Sequence, residues 1–133
     1  MNFGIIPASW SSYLHSALRV ISGLLFMEHG TTKLFQWPFT DMFKDGVPLG
    51  SLMGVGGILE LVGGLLIVLG LFTRITAFVL AGMMAVAYFM FHLPASFFPV
   101  QNGGDAAVLF CFIFLFLAAA GAGPLSLDNN KRA

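Results

Sequence analysis

The stretch Ser51-Leu-Met-Gly-Val-Gly-Gly-Ile-Leu-Glu-Leu-Val-Gly-Gly-Leu-Leu-Ile-Val-Leu-Gly-Leu-Phe72 decides the fold of this chain. All of its residues except Ser51 and Glu60 are apolar or glycine. A helix of about 20 such residues crosses the hydrocarbon core of a bilayer. A carboxylate inside such a span is costly unless it is paired, protonated or used in chemistry. The stretch therefore predicts a transmembrane helix in which Glu60 has a structural or functional role.

The composition of the whole chain is that of an integral membrane protein. Of its 133 residues, 58% are hydrophobic and only 9% are charged, and the mean hydropathy of +0.91 exceeds that of soluble domains. Apolar segments occupy residues 12–35, 51–72, 74–92 and 105–122. The sequence predicts an all-α fold: an integral membrane four-helix bundle with antiparallel up-down connectivity, formed by residues 1–133 as a single transmembrane domain.

The charge distribution predicts the orientation and the partners. Four spans place both termini on one side of the membrane, with Arg74, Lys131 and Arg132, whereas the other side holds Lys33 and Lys44. Cytoplasmic loops carry the excess of Lys and Arg, so both termini are predicted to be cytoplasmic, in a bacterial-type inner (plasma) membrane. A net charge of zero, with no basic block, speaks against nucleic acid. The lipid bilayer is the predicted surrounding, and small-residue faces leave room for a homo-oligomer.

The ionisable residues gather in the outer half of the predicted bundle. In an antiparallel arrangement this half holds groups from all four helices: Glu28, His29, Lys33, Glu60, His92 and Asp105. At about 100° per residue, His29 and Lys33 share one stripe of the first helix. Gly56 and Gly64 lie on the face of Glu60, so another helix or a flat ligand can approach the carboxylate closely.

A carboxylate, imidazoles and a lysine between apolar helices suit a quinone. The two quinone carbonyls accept hydrogen bonds, and reduction to quinol takes up two protons, which positioned acids and bases deliver. The predicted proton-transfer residues are Glu60, His29 and His92. The residues predicted to bind the cofactor are Lys33, Glu60, Arg74, Asp105, Gly56 and Gly64.

Other interpretations of the same residues remain open. His29 and His92 could ligate a haem as a histidine pair, although no sequence spacing supports it. Histidines with Glu60 and Asp105 could form a metal site, but no metal-ligand motif is present, and no metal ligands are assigned. Glycines on one helical face are also typical of tight helix packing. Arg74 could extend its charge to the membrane surface, and Asp105 could be a first-turn acid of its helix.

Several motifs resemble the DoxX family of small membrane proteins. They are Gly23-Leu-Leu-Phe-Met-Glu-His-Gly-Thr-Thr-Lys-Leu34, Gly57-Ile-Leu-Glu-Leu-Val-Gly-Gly-Leu-Leu-Ile-Val-Leu-Gly-Leu-Phe-Thr-Arg74, His92, Gly103-Gly-Asp105 and Gly121-Ala-Gly-Pro-Leu-Ser-Leu-Asp128. The resemblance implies a four-helix membrane bundle, and some relatives are linked to thiosulfate:quinone oxidoreductase or to membrane thiol and oxidative-stress complexes. It carries over Gly30, Lys33, Glu60, Arg74, His92 and Asp128. The family usually has Glu where Asp105 stands and an aromatic residue where Leu125 stands.

Two function classes follow. The first is a redox-associated inner-membrane protein that binds a quinone or quinol in the outer polar cluster and works with a partner oxidoreductase. The second is a non-enzymatic membrane scaffold, assembly factor or small carrier, in which the same cluster fixes the helix packing. The sequence leaves open whether the chain is an enzyme.

Overall fold

The computed structural model describes residues 4–130. Within this range the chain is all-helical, with six α-helices and no strand. The helices are α1 Ser11–Phe35, α2 Leu52–Leu69, α3 Thr73–Ala87, α4 Pro99–Asn102, α5 Asp105–Ala120 and α6 Leu127–Asn130. A π-helical turn, Tyr88–His92, extends α3. The prediction of an all-α fold is confirmed.

Two of the helices in the described part of the chain are long and apolar enough to cross a membrane. They are α2, with a mean hydropathy of 2.3, and the continuous helix Thr73–His92, with 1.8. Helix α5 is equally apolar but has only 16 residues. Helix α1 has 25 residues but carries Arg19, Glu28 and Lys33. Length and apolar composition therefore support two of the four predicted spans, the second and the third.

The surface of the helices is largely apolar. Large hydrophobic side chains are exposed on each of the four longer helices, for example Ile21, Val62, Phe78 and Phe112. In water such a continuous apolar surface would drive aggregation, whereas lipid tails are as apolar as the side chains themselves. The surface is that of a protein embedded in lipid.

Glycines set the helix ends and correct the predicted bounds. Helix α2 ends at Leu69 and not at residue 72, because Gly70 takes a left-handed conformation (φ 64°) that closes the last turn. Thr73, predicted as a turn, is the first residue of α3. Helix α5 stops at Ala120 and not at 122, because Gly121 also has a positive φ of 86°. The predicted loop 93–104 contains the short helix α4, which begins at Pro99.

Helices α1 and α2 approach each other through glycines. A Cβ atom on Gly30 would lie 2.7 Å from the backbone nitrogen of Leu61 and 2.8 Å from the carbonyl oxygen of Gly57. Two turns away, a Cβ on Gly23 would lie 3.0 Å from the carbonyl oxygen of Gly64. The two backbones are therefore in direct contact over several turns, as small residues allow in membrane helices.

The other helices are joined by side chains. Helix α3 packs mainly on α5. The buried core consists of apolar residues from α1, α2, α3 and α5: Phe26, Ile67, Ala77, Leu80, Ala81, Met84, Ala107, Phe110, Phe114 and Leu117. Helices α1 and α5 meet through aromatic rings, with Phe26 lying 5.3 Å from Phe110 and 4.9 Å from Phe114 between ring centroids. We call this contact the α1–α5 seam.

Candidate functional site

A buried ion pair joins α1 to α2. Lys33 Nζ lies 2.5 Å from Glu60 Oε1, and the two side chains are only 12% and 4% exposed. Gly57, one turn before Glu60, leaves space for the Lys33 side chain, because a Cβ at Gly57 would lie 3.2 Å from Lys33 Cβ. The ring of Phe43, from the loop after α1, lies 6.0 Å from Lys33 Nζ. The glycine face thus places a charged pair between two apolar helices.

The second carboxylate oxygen of Glu60 is unpaired within the described part of the chain. Glu60 Oε2 is buried and accepts no hydrogen bond from residues 4–130. Such an atom loses its hydration on folding without compensation, which is uncommon in folded proteins. A proton or a hydrogen-bond donor of a ligand would therefore be stabilised at Glu60 Oε2.

His29 is the third residue of this group. Its Nδ1–H donates to the carbonyl oxygen of Leu25 at 2.8 Å, which leaves Nε2 available. Its ring lies edge-on to Phe110 at 5.8 Å, at the α1–α5 seam, and its side chain is exposed. His29 is close enough to Glu60 to interact with it electrostatically. The structure therefore brings together Glu60, Lys33 and His29, which we call the Glu60 cluster.

The two glycines predicted to bind a cofactor differ in their surroundings. A Cβ on Gly64 would lie 2.6 Å from Met27 Cγ and 2.9 Å from the Gly23 carbonyl oxygen, so Gly64 is occupied by packing against α1. A Cβ on Gly56 would meet only Met83 Cε, at an ordinary 3.6 Å. A ligand could therefore approach the backbone at Gly56, whereas α1 already fills the space at Gly64.

His92 belongs to a different group. Its Nδ1–H donates to the carbonyl oxygen of Asn102 at 3.1 Å, and its ring stacks on Tyr88 at 6.1 Å. The Asn102 side chain in turn donates to the Tyr88 hydroxyl and to the carbonyl oxygen of Ser96. Among residues 4–130, no hydrogen bond, ion pair or ring contact joins His92 to the Glu60 cluster. Asp105 is exposed as the first residue of α5.

Arg74 lies at the opposite end of α2 from the Glu60 cluster. Leu69, the last residue of α2, is nine positions after Glu60, which is about 14 Å of helix rise. The Arg74 guanidinium donates through Nη1 to the carbonyl oxygens of Ala118, at 3.1 Å, and of Ala119. It thereby satisfies orphan carbonyls at the C-terminus of α5. Arg74 cannot act together with Glu60 on one small headgroup.

The same end contains Arg19, which the sequence did not single out as a site residue, and Asp128, which the family resemblance carried over. Arg19 is buried and donates to the carbonyl oxygens of Ile67 (2.6 Å), Val68 (2.5 Å), Ala122 (2.7 Å) and Leu125. The Asp128 carboxylate accepts from the backbone nitrogens of Phe72 and Thr73, both at 2.8 Å, and so caps α3. A sequence signal for Arg19 existed, since an arginine within a span must find acceptors.

The described residues offer no metal-ligand set. No three His, Cys, Asp or Glu side chains in residues 4–130 are grouped so that they could hold a metal ion. Within this range, the histidines therefore do not form such a group with Glu60 and Asp105.

Comparisons with known proteins agree with this picture. The DoxX family model matches residues 14–93, more than half of the chain. A Haemophilus influenzae (strain Rd) protein described as uncharacterized is 39% identical over 120 residues, which is 88% of this chain and 90% of that protein. A Bacillus subtilis (strain 168) protein named "Putative oxidoreductase CatD" is 37% identical over 81 residues, 60% of each chain. No solved structure matches significantly.

The matched range contains the α1–α2 glycine contacts and all three residues of the Glu60 cluster. Its apolar helices carry the membrane-embedded surface described above. The chain is a membrane protein and belongs to the DoxX family.

Proposed function

We propose that this chain is a redox-associated inner-membrane protein that binds a quinone or quinol at the Glu60 cluster and works with a partner oxidoreductase. One observation carries the proposal. Within residues 4–130 the buried oxygen Glu60 Oε2 has no hydrogen-bond partner, and the same carboxylate pairs with Lys33 and interacts electrostatically with His29. The name of the Bacillus subtilis relative supports redox chemistry for a protein of this family.

The residues of the Glu60 cluster suit a quinone headgroup. Lys33 Nζ has three N–H donors, and Glu60 Oε1 uses one of them. His29 Nε2 is a second group available to a carbonyl or a hydroxyl. A bound quinone would supply two-electron, two-proton chemistry. Lys33 and His29 would orient its oxygens, and Glu60 would hold or release a proton at Oε2.

Access to the cluster favours an apolar ligand. His29 is exposed at the α1–α5 seam, where Phe110 forms the neighbouring wall. A ligand that is dissolved in the lipid could reach His29 there without crossing a water-filled opening. An isoprenoid tail would remain among the exposed apolar side chains of α1 and α5.

The architecture belongs to the proposal as well. We take α1, α2, the helix Thr73–His92 and α5 as four spans of an antiparallel bundle. The order of the α1–α2 contacts supports this, because Arg19 meets Ile67 whereas Lys33 meets Glu60. The orientation with cytoplasmic termini rests on the sequence, since Lys131 and Arg132 lie outside the described residues. A homo-oligomer likewise stays a prediction.

A second candidate function is a scaffold, assembly factor or small carrier. The observation that favours it is the position of the Lys33–Glu60 pair on the glycine-packed contact of α1 and α2. A pair in this place could serve only to fix the register of two helices. Haem ligation by His29 and His92 is the weaker cofactor alternative, because their rings pack on different aromatic partners.

Quinone binding by a Glu60→Gln variant tests the proposal. The purified chain in detergent is titrated with a short-tail quinone, and binding is followed by quenching of tryptophan fluorescence. We expect E60Q to bind at least about tenfold more weakly, which corresponds to loss of one hydrogen bond to a charged group. The matched control is Glu28→Gln, which removes an exposed carboxylate next to His29.

The outcomes are distinguishable. Equal affinity of E60Q and wild type would contradict a role of Glu60 in quinone binding. Circular dichroism of both variants shows whether a weaker signal reflects loss of the fold. A reduced-minus-oxidised spectrum of the gently purified protein separates the cofactors, since sharp visible bands would favour haem and an ultraviolet change a quinone.

A further inference from the structure

A cavity lies at the end of the molecule opposite the Glu60 cluster. It has a volume of about 570 Å³ and is lined by residues from the start of α3, the end of α5 and the segment that follows, among them Thr73, Arg74, Gly121 and Asp128. We call it the Arg74 cleft. Nothing in the proposed quinone site uses it, because about 14 Å of helix separates Glu60 from the end of α2.

The Arg74 guanidinium has donors left for a ligand in this cleft. Only Nη1 donates to the α5 carbonyls, and Nε and Nη2 have no acceptor within residues 4–130. These two nitrogens face Gly121, where a Cβ would lie 3.2 Å from Nη2 and 3.4 Å from Nε. Two adjacent N–H groups of a planar guanidinium match two oxygens of a phosphate.

A buried hydroxyl adds to this set of donors. Thr73 is fully buried, its Oγ1 has no hydrogen-bond partner among the described residues 4–130, and the residue lines the Arg74 cleft. An unsatisfied hydroxyl in such a place is an unfilled position for an oxygen atom. Thr73 and Arg74 both line the cleft.

Two charged residues of opposite sign line the cleft, Arg74 and Asp128. Asp128 is the acidic residue on its wall. Its charge is offset by two backbone N–H groups at the start of α3 and by an electrostatic interaction with Arg19. The positive charge of Arg74 is therefore the one left for a ligand.

An apolar groove lies along the membrane-facing side of α2 and α3, next to the cleft. The groove has a volume of about 300 Å³ and is lined almost entirely by aliphatic side chains, including Val62, Leu66 and Val79. Ile75 lines both the groove and the Arg74 cleft. On α2 the groove extends from Ile58 to Leu66, which is about 12 Å of helix.

We infer that the Arg74 cleft and this groove together bind one anionic phospholipid. The phosphate lies on Arg74 Nε and Nη2 beside Thr73, and one acyl chain lies in the α2–α3 groove. A basic pocket beside membrane helices is a known kind of lipid headgroup site. The shared apolar residue, Ile75, makes an amphiphile the occupant that fills both parts. This inference stands independently of quinone binding at Glu60.

Thermal unfolding of the purified chain in detergent tests the inference. We expect added phosphatidylglycerol to raise Tm, and phosphatidylcholine or inorganic phosphate to leave it unchanged. Arg74→Gln and Val79→Trp should each raise the half-saturating concentration of phosphatidylglycerol about fivefold to tenfold. V79W blocks the groove while leaving the Arg74 contacts in place, so it also covers the case in which R74Q destabilises α5.

Matched controls accompany both variants. Val86→Trp lies two turns from Val79 on α3, with 53% exposure against 50%, and does not line the groove. Lys44→Gln removes an exposed cation outside the cleft. Both should bind phosphatidylglycerol like wild type. Equal protection by phosphatidylcholine, or an unchanged response of both R74Q and V79W, would overturn the inference. Full protection by inorganic phosphate alone would overturn its acyl-chain part.

Discussion

The Lys33–Glu60 pair lies where α1 and α2 touch through glycines, so little water reaches either charge. In such surroundings the attraction between the charges is strong, but their loss of hydration is also large. Removing one partner leaves the other charge buried alone, which is worse than removing both. The pair is therefore a test of whether the cluster serves packing or chemistry.

A double-mutant cycle measures this coupling. We expect Lys33→Met and Glu60→Gln each to lower the free energy of unfolding by about 3 kcal/mol, because each leaves an uncompensated buried group. The double variant should lose less than the sum, with a coupling energy of about 1–3 kcal/mol. Chemical denaturation in detergent provides the values, and Lys44→Met on the exposed loop is the control. Additive losses would show that the two side chains do not stabilise the fold as a pair.

At the residue scale, the sequence indicated that Glu60, His29 and Lys33 lie near one another, but it wrongly grouped His92 and Arg74 with them. A carboxylate in an apolar span must find a partner, and helical phase placed His29 and Lys33 on one stripe. His92 could not be placed, because its hydrogen bond goes to a backbone carbonyl of α4, a helix that the sequence did not reveal. Arg74 was predicted to bind the same cofactor as Glu60 although the predicted topology placed it on the side of the termini, and in the structure it contacts the C-terminus of α5.

At the scale of elements, the α1–α2 contact depends on glycine more than on hydrophobic area. Apolar burial contributes little between helices in lipid, so close backbone approach and the van der Waals contact it permits must hold the pair together. The sequence predicted these helices from their apolar length. It did not predict their ends, since Gly70 and Gly121 end helices by positive φ whereas Gly56 and Gly64 lie inside one. Only the surrounding contacts distinguish the two uses of glycine.

Alanine substitutions at two glycines test the importance of this contact. Gly30→Ala would place a Cβ 2.7 Å from a backbone atom of α2, so the helices must separate, and we expect a loss of about 1–3 kcal/mol. Gly82→Ala is the control within α3, where a Cβ meets nothing within 4 Å. It should be neutral or should stabilise by up to about 1 kcal/mol through helix propensity. Equal stability of the two variants would contradict a backbone-packed contact.

At the scale of the whole molecule, α1 pairs with α2 and α3 pairs with α5, and the α1–α5 seam is filled by rings. The two polar regions lie at opposite ends of this arrangement. The Glu60 cluster lies near the end of α1, and the Arg74 cleft lies where α2 passes into α3. The sequence predicted the polar half around Glu60. It named Arg74 and Asp128 but did not place them in a second polar region, because that region forms through backbone carbonyls that the final segment supplies to Arg19.

Cysteine labelling in intact cells tests the proposed topology. Single cysteines replace the exposed residues Ser11, Asp45 or Asn129 in a Cys111→Ala background. A membrane-impermeant thiol reagent should modify D45C in intact cells, and S11C and N129C only after lysis, because both termini are proposed to face the cytoplasm. Labelling of S11C and N129C together in intact cells would reverse the orientation. Labelling of only one of them would exclude an even number of spans between these positions.

The contacts of Arg19 also determine when this part of the fold can form during synthesis of the chain. Arg19 is made early, but two of its four carbonyl partners, Ala122 and Leu125, are more than one hundred residues later in the chain. The cap of α3 likewise waits for Asp128. During translation the nascent protein therefore holds a guanidinium with an incomplete shell and a helix with unsatisfied amides. The segment from Ala122 to Asp128 therefore completes these contacts only after all the longer helices have been synthesised.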